Sequence, residues 1–346
     1  MFSRYRSFGS KFLAGILLLG LAAPAFAVSC TTQSQMKPEQ RTILAQSAQM
    51  LAANVKNGNA EGVRAQTIPA VASNFGGIAN TIQTMNASIQ RATLTVDLLY
   101  ILDASDLKAP QDTEFFCGAA GSPLTVEVTI PGLPPGKYAL AVVHATGVQH
   151  PQQLSMILQN DPPNSAVWKL AGFFTKPMTI DSHDGLWFWT QARTYAAQKD
   201  TWTAWFYYQQ AHLLLQPVDF LSSPNLQKLQ KESEQNQPPD LPSDTAPMRL
   251  NTTAGSFQLT NIHVGDFNSQ MDLIVTYNAP LNLTPVQSRE QVVAVMKALL
   301  QQHPGLATAF HGMWVHASAP GGQSPFALEL PMNQIQNSAP APGERS

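Results

Sequence analysis

Apolar positions recur along this chain at two periods, and the change from one to the other divides it. Over residues 36–57, Ile43, Leu44, Met50, Leu51 and Val55 return at helical spacing, and Gly58 supplies a stop. Residues 60–65 read as a second short helix. Pro69 then opens a weaker helical run through Ile78, Ile82, Met85 and Ile89, interrupted by Gly76-Gly77. At Ala92 the period shortens. Leu94, Val96, Leu98 and Tyr100 alternate with Thr95, Asp97 and Leu99, which predicts a strand reaching Leu102. Four more strands are expected over 124–130, 138–145, 153–159 and 167–174. Breakers at Pro131-Gly132 through Gly136 and at Asp161-Pro162-Pro163-Asn164 separate them. Helices followed by an antiparallel sheet predict the α+β class.

The second half turns helical again and then returns to strands. Residues 185–199 carry Trp187, Phe188, Trp189 and Tyr195 on a predicted helix. Asp200 caps a second helix bearing Trp202, Trp205, Phe206, Tyr207 and Tyr208. A third helix is expected over 225–235, followed by a stiff, proline-rich linker over 236–248. The remainder reads β-β-α-β-β, with strands at 257–264, 271–277, 310–317 and 326–332. Its helix opens on Thr284, Pro285 and Gln287, the pattern of a capping box. The expected divisions are therefore an α+β unit at 36–178, a helical segment at 181–235, the linker, a C-terminal α+β unit at 249–335 and a disordered tail at 336–346.

The first 27 residues change the picture of where the chain works. Arg4, Arg6 and Lys11 precede an apolar stretch over 12–23, and Ala25-Phe26-Ala27 places small residues at two alternate positions. This is the order of a secretory signal peptide, and the stretch is too short for a spanning helix. A mature protein without a transmembrane helix, periplasmic or secreted, is the expectation. Charged residues make up only 12% of the chain, and Gln, Asn, Ser and Thr supply the polarity instead. A net charge of -2 with no Lys/Arg cluster beyond residue 27 excludes a nucleic-acid footprint. The partner is expected to be a protein or a small molecule. Cys30 and Cys117 leave alternatives open: a disulfide, a lipid on Cys30 after cleavage at Ser29, or two unlinked thiols.

Two resemblances refine the architecture. The leading helices and the closing run Trp168-Lys169-Leu170-Ala171-Gly172-Phe173-Phe174, followed by Lys176 and Pro177, resemble the nuclear transport factor two-like cone fold over about residues 36–178. The resemblance implies a curved sheet whose mouth takes small apolar ligands, with Tyr100, His144 and Trp168 available to line it. A rival, an immunoglobulin-like sandwich, is suggested by Gly132–Leu140, which resembles a hairpin of bacterial prealbumin-like domains. The helical first part suits that rival badly. Further on, Ala192, Tyr195, Ala204, Tyr208 and Ala211 resemble the spacing of one tetratricopeptide unit, with Gln191 and Pro217 as departures. A single such pair cannot bury both its faces and must pack on its neighbours.

The search for chemistry leaves few candidates. Asp181, His183 and Asp184 are the densest potential metal ligands, yet Ser182 and Asp184 are equally placed to cap the helix at Gly185. His311 and His316 stand five apart on an expected strand and so face opposite ways. Cys117 with His144 as base, and Asp97, Asp103 and Asp106 as paired acids, have bland readings as a disulfide and a solvated turn. No HExxH, Gly-x-Ser-x-Gly or phosphate loop occurs. No metal or cofactor is expected. The aromatic helices are the most unusual feature, and Trp187, Trp189, Trp202 and Trp205 are candidate ligand contacts, with a packed core as the alternative. Trp187 and Trp189 lie two apart on one helix, so they cannot share a neighbour. The function expected is an exported, non-catalytic binding or scaffold protein. The alternative is a hydrolase or isomerase using the mouth of the cone.

Overall fold

A computed structural model describes residues 28–118, 124–163, 165–267, 270–280, 283–318 and 326–337. The expected signal peptide and the tail beyond residue 337 lie outside these residues. The fold is α+β, built on two five-stranded sheets with a helical hairpin between them in sequence.

The first sheet has the order β1-β2-β5-β6-β7, with every neighbouring pair antiparallel. Its members are β1 (Ser29–Thr32), β2 (Thr93–Ala104), β5 (Gly136–Thr146), β6 (Gln152–Asn160) and β7 (Trp168–Pro177). One face is covered by α1 (Pro38–Lys56), α2 (Ala60–Ala65), α3 (Pro69–Ala72) and α4 (Gly76–Ile89). Leu44, Leu51, Val55 and Ile82 from these helices pack on Leu99, Ile101, Ala141 and Val143. The expected interruption at Gly76-Gly77 is instead the start of α4.

The other face carries a second, three-stranded sheet, of which the sequence predicted only the strand over 124–130. It contains β3 (Gln111–Cys117), β4 (Val126–Leu133) and β8 (Leu221–Ser222), in the order β3-β4-β8. Phe115, Val128 and Leu221 pack there against Tyr100, Leu102 and Leu140. β8 comes from the segment read as purely helical, so that segment is stitched into the first half. The Cys30–Cys117 disulfide joins β1 of one sheet to the end of β3 of the other. That bond occupies the sulfur on which lipidation of Cys30 would depend, and the two readings exclude one another.

The hairpin comprises α5 (Gly185–Ala197) and α6 (Thr201–Leu215), and α7 (Pro224–Gln235) follows it. Both hairpin helices start as expected: the Asp184 carboxylate accepts from the Trp187 amide, and that of Asp200 from the Thr203 amide. Lys199, with φ 63°, turns the chain between them.

The C-terminal sheet has the order β13-β12-β11-β10-β9. Its strands are β9 (Met248–Thr252), β10 (Gly255–Phe267), β11 (Gln270–Asn278), β12 (Gly312–Ser318) and β13 (Phe326–Pro331). β9 was not expected, because residues 248–252 were divided between the linker and the start of the domain. β11 and β12 are parallel, joined through α8 (Pro285–Gln302) and α9 (Leu306–Ala309). α8 has both halves of the capping box at Thr284 and Gln287. α10 (Met332–Asn337) closes the described chain, so residues 336 and 337, assigned to the tail, are helical.

One core runs from the hairpin into this sheet: Phe188, Phe206 and Tyr207 pack in the same cluster as Leu273, Val275, Leu299 and Val315. The expected linker is fastened too. Pro238 and Pro242 are buried, and the Trp202 indole donates to the Asp240 carboxylate at 3.0 Å.

Candidate functional site

Helix α5 lies between two clefts and gives a tryptophan to each. The 3.6-residue turn puts side chains two apart about 200° round the axis, and here the two rings meet different neighbours. Trp189 lines an apolar cleft with the first sheet and α7, and Trp187 lines a polar one with the C-terminal unit.

The apolar cleft encloses about 270 Å³ between Leu98 and Tyr100 of β2, Val126 of β4, Leu186 and Trp189 of α5, and Leu226 of α7. Leu186 stands at its rim, 60% exposed, although it is a large apolar residue. Trp189 is fixed from behind. Its indole donates to Glu232 at 2.7 Å, and the Arg193 guanidinium sits 4.4 Å over its ring. Arg193 also donates twice to Glu232, at 2.7 and 2.8 Å. These Arg193 bonds, together with the indole donor, hold the Glu232 carboxyl below its usual range. Burial pushes the Tyr100 phenol up. Gln153 and Ser155 of β6 both donate to the Pro217 carbonyl, tying the end of α6 to the sheet beside the cleft.

The polar cleft, about 280 Å³, lies where the chain enters α5 and where α9 runs into β12. Its walls are Trp187, Phe188, Tyr207 and Phe310, and its polar groups are Asp181, His183, Gln270, Thr308 and His311. His183 lies flat on Trp187, with ring centroids 3.6 Å apart. Asp181 and Ser182 both have positive φ, at 49° and 64°, a conformation that non-glycine residues seldom hold. The Asp181 carboxylate accepts from the Met271 amide at 3.2 Å. Burial nevertheless raises its pKa, against the lowering effect of that amide, His311 and His183.

Behind His311 stands a second carboxylate. Asp272, 1% exposed, accepts from the Trp314 indole at 3.1 Å and lies 3.3 Å from Nδ1 of His311. Gly312 is its register partner on β12, and a Cβ there would crowd the Asp272 oxygen at 3.1 Å. The glycine leaves room for the buried carboxylate.

The remaining candidates are placed as follows. Tyr100 and Trp189 share the apolar cleft, whereas His144 and Trp168 do not line it. His144 shares the strand phase of Tyr138 and Leu140, and its Nε2 is 3.9 Å from Asp97. Trp168 packs instead on the helix-covered core. Tyr100 and Trp168 therefore occupy opposite sides of the sheet and cannot line one mouth. Trp202 is buried and stacks on His303 at 4.1 Å, while Trp205 is half-buried against the shared core. Among the described residues no group of three or more His, Cys, Asp or Glu side chains is arranged to hold a metal ion. Asp184 is taken up by its cap, and His183 stacks on Trp187.

Sequence reasoning singled out Asp181 and His183 but set aside His311, and it missed Asp272 and Tyr207 as cleft residues. The signal for Asp272 was present: an acid inside the otherwise apolar or β-branched run Met271–Tyr277. Its partner His311 lies 39 positions away, and no local pattern links the two. The chain matches no protein-family model, no curated protein and no solved structure.

Proposed function

We propose that this chain is an exported binding protein whose apolar cleft takes a single large side chain, aromatic or branched aliphatic, from a partner protein. The observation that carries the proposal is the cleft between β2 and α5. It offers Leu98, Tyr100, Trp189 and Leu226 around about 270 Å³, beneath an exposed Leu186. That space is below the range typical of sites for drug-sized ligands and suits one anchoring residue. Trp189, already held by Glu232 and Arg193, reaches the cleft with its rotamer fixed, so little entropy is lost on binding. Export is supported by the Cys30–Cys117 disulfide, since such bonds persist in oxidising compartments. Among the described residues no helix is long and apolar enough to cross a membrane.

Titration with N-acetyl-tryptophan amide, followed by chemical-shift changes in the full chain, tests the cleft. Shifts should centre on Tyr100, Trp189 and Leu226, and Leu186→Asp should weaken binding about tenfold or more, the equivalent of one buried leucine. Binding unchanged by Leu186→Asp, or shifts centred elsewhere, would reject the cleft. Recovery of the intact, unprocessed chain with reduced thiols from a cell-interior fraction would reject export.

A further inference from the structure

The polar cleft on the other side of α5 holds an arrangement that binding through the apolar cleft does not use. His311 stands with Nδ1 3.3 Å from a carboxylate that is itself inaccessible and anchored by the Trp314 indole. A buried carboxylate in that position selects one tautomer of the imidazole: Nδ1 carries the hydrogen, and Nε2 keeps its lone pair. His311 lines the cleft, and its side chain remains 42% accessible, so the imidazole is open to a small molecule. The same cleft is lined by Asp181, whose carboxylate accepts from the Met271 amide. Trp187, Tyr207 and Phe310 complete the walls with aromatic surface.

We propose that this cleft is a general acid–base site that hydrolyses small esters bearing an aromatic or apolar group, with His311 as base, Asp181 as acid and Asp272 as the positioning residue. In the first step a water oxygen bonds to the ester carbonyl carbon while Nε2 of His311 takes one of its protons. The carbonyl π pair moves onto oxygen. In the second step that pair re-forms the double bond, and the bond from carbon to the alcohol oxygen breaks. The departing oxygen takes the proton of the Asp181 carboxyl group. Imidazolium and carboxylate then exchange one proton through solvent, which returns both groups to their starting state. The sum is ester and water giving acid and alcohol, with no other reactant.

The roles follow from surroundings. Asp272 is fully enclosed and cannot reach substrate, so it acts only through His311. Asp181 lines the same cleft as His311, and its burial shifts it toward the protonated form. His183 is committed face to face with Trp187 and serves as wall. Gly312, by leaving space for the Asp272 oxygen, is part of the same device.

Two measurements on the full, oxidised chain test the site. The first uses 4-nitrophenyl acetate and 4-nitrophenyl phenylacetate as probes and follows release of nitrophenolate. The wild type should turn over, with the phenylacetate preferred. His311→Gln should lose about 100-fold or more, the usual contribution of a positioned base. Asp181→Asn should also lose activity, while His316→Gln on the neighbouring strand should keep it. No turnover of either ester, or equal loss in His316→Gln, overturns the proposal. The second measurement needs no substrate. The unprotonated imidazole nitrogen attacks diethyl pyrocarbonate and is acylated, and peptide mass spectrometry ranks the chain's 8 histidines by rate. His311 should be among the fastest, and Asp272→Asn should slow it several-fold while circular dichroism stays native. An unchanged His311 rate in a folded Asp272→Asn variant overturns the positioning role. Because the apolar cleft is not probed by either assay, failure here leaves the binding proposal standing, and the reverse holds too.

Discussion

The two five-stranded sheets of this protein solve the same problem in opposite ways. The first is covered on both faces, by four helices on one side and a small sheet on the other, and its middle strand has no solvent side. Residues 138–143 of β5 are all buried, alternating between the two cores. The second sheet covers one face only. Along β10, β11 and β12, the phase of Leu259, Leu273, Val275 and Val315 is buried, while Asn261, His263, Ile274, Thr276, Trp314 and His316 form an open face. A doubly covered strand permits apolar residues in either phase, and a singly covered one requires alternation. The difference also places the chemistry. The carboxylate of Asp272 belongs to the open phase, where His311 and Trp314 can roof it over, whereas β5 over residues 138–143 offers no such phase.

The sharpest way to break the contrast is the disulfide, because it serves only the first sheet and its small partner. A double Cys30→Ser, Cys117→Ser variant should lose about 4–5 kcal/mol in the chain-entropy description of a loop of 87 residues. Urea unfolding followed separately in the two halves should show the loss in the first. An unchanged midpoint would mean that the strand pairing of β1 suffices without the bond.

Next in size is a paired truncation. Leu140→Ala, in the doubly covered strand, should cost about 2–5 kcal/mol, whereas Ile274→Ala on the open face should cost about 1 kcal/mol or less. Equal costs from thermal unfolding would show that the open face is covered in solution.

The smallest effect is electrostatic. Glu232 has a folded-state pKa depressed chiefly by its hydrogen bonds from Arg193. Its stabilising contribution is complete above the unfolded carboxyl value of about 4.3 and is lost progressively as pH falls toward the folded value. His303, half-buried against Trp202, has its pKa lowered by desolvation. Its contribution is therefore lost at milder acidity, as pH falls below the ordinary imidazole value of about 6.5. Glu232→Gln should remove the first acid limb and spare the second. A profile that loses both limbs in that variant would contradict the assignment.

Much of this architecture was legible from local pattern. The helices over 36–57, 185–199 and 285–302, the caps Asp184, Asp200 and Thr284, and the long alternating strands all depend on residues within one or two turns of each other. Short edge strands were not legible. β1, β8 and β9 hold two to five residues each, too few for a period to emerge, and they exist because a longer strand offers them hydrogen bonds.

The clefts show the same division. Sequence alone determined that Trp187 and Trp189 must face different neighbours, because helix geometry fixes the angle between them. It could not determine which neighbours these would be. Tyr100 meets Trp189, and Asp272 meets His311, only because sheets fold back across 89 and 39 positions of chain. Side-chain angle along one helix is a local property of the backbone, whereas the company a side chain keeps is set by burial of distant surfaces, and that was decided by the tertiary structure.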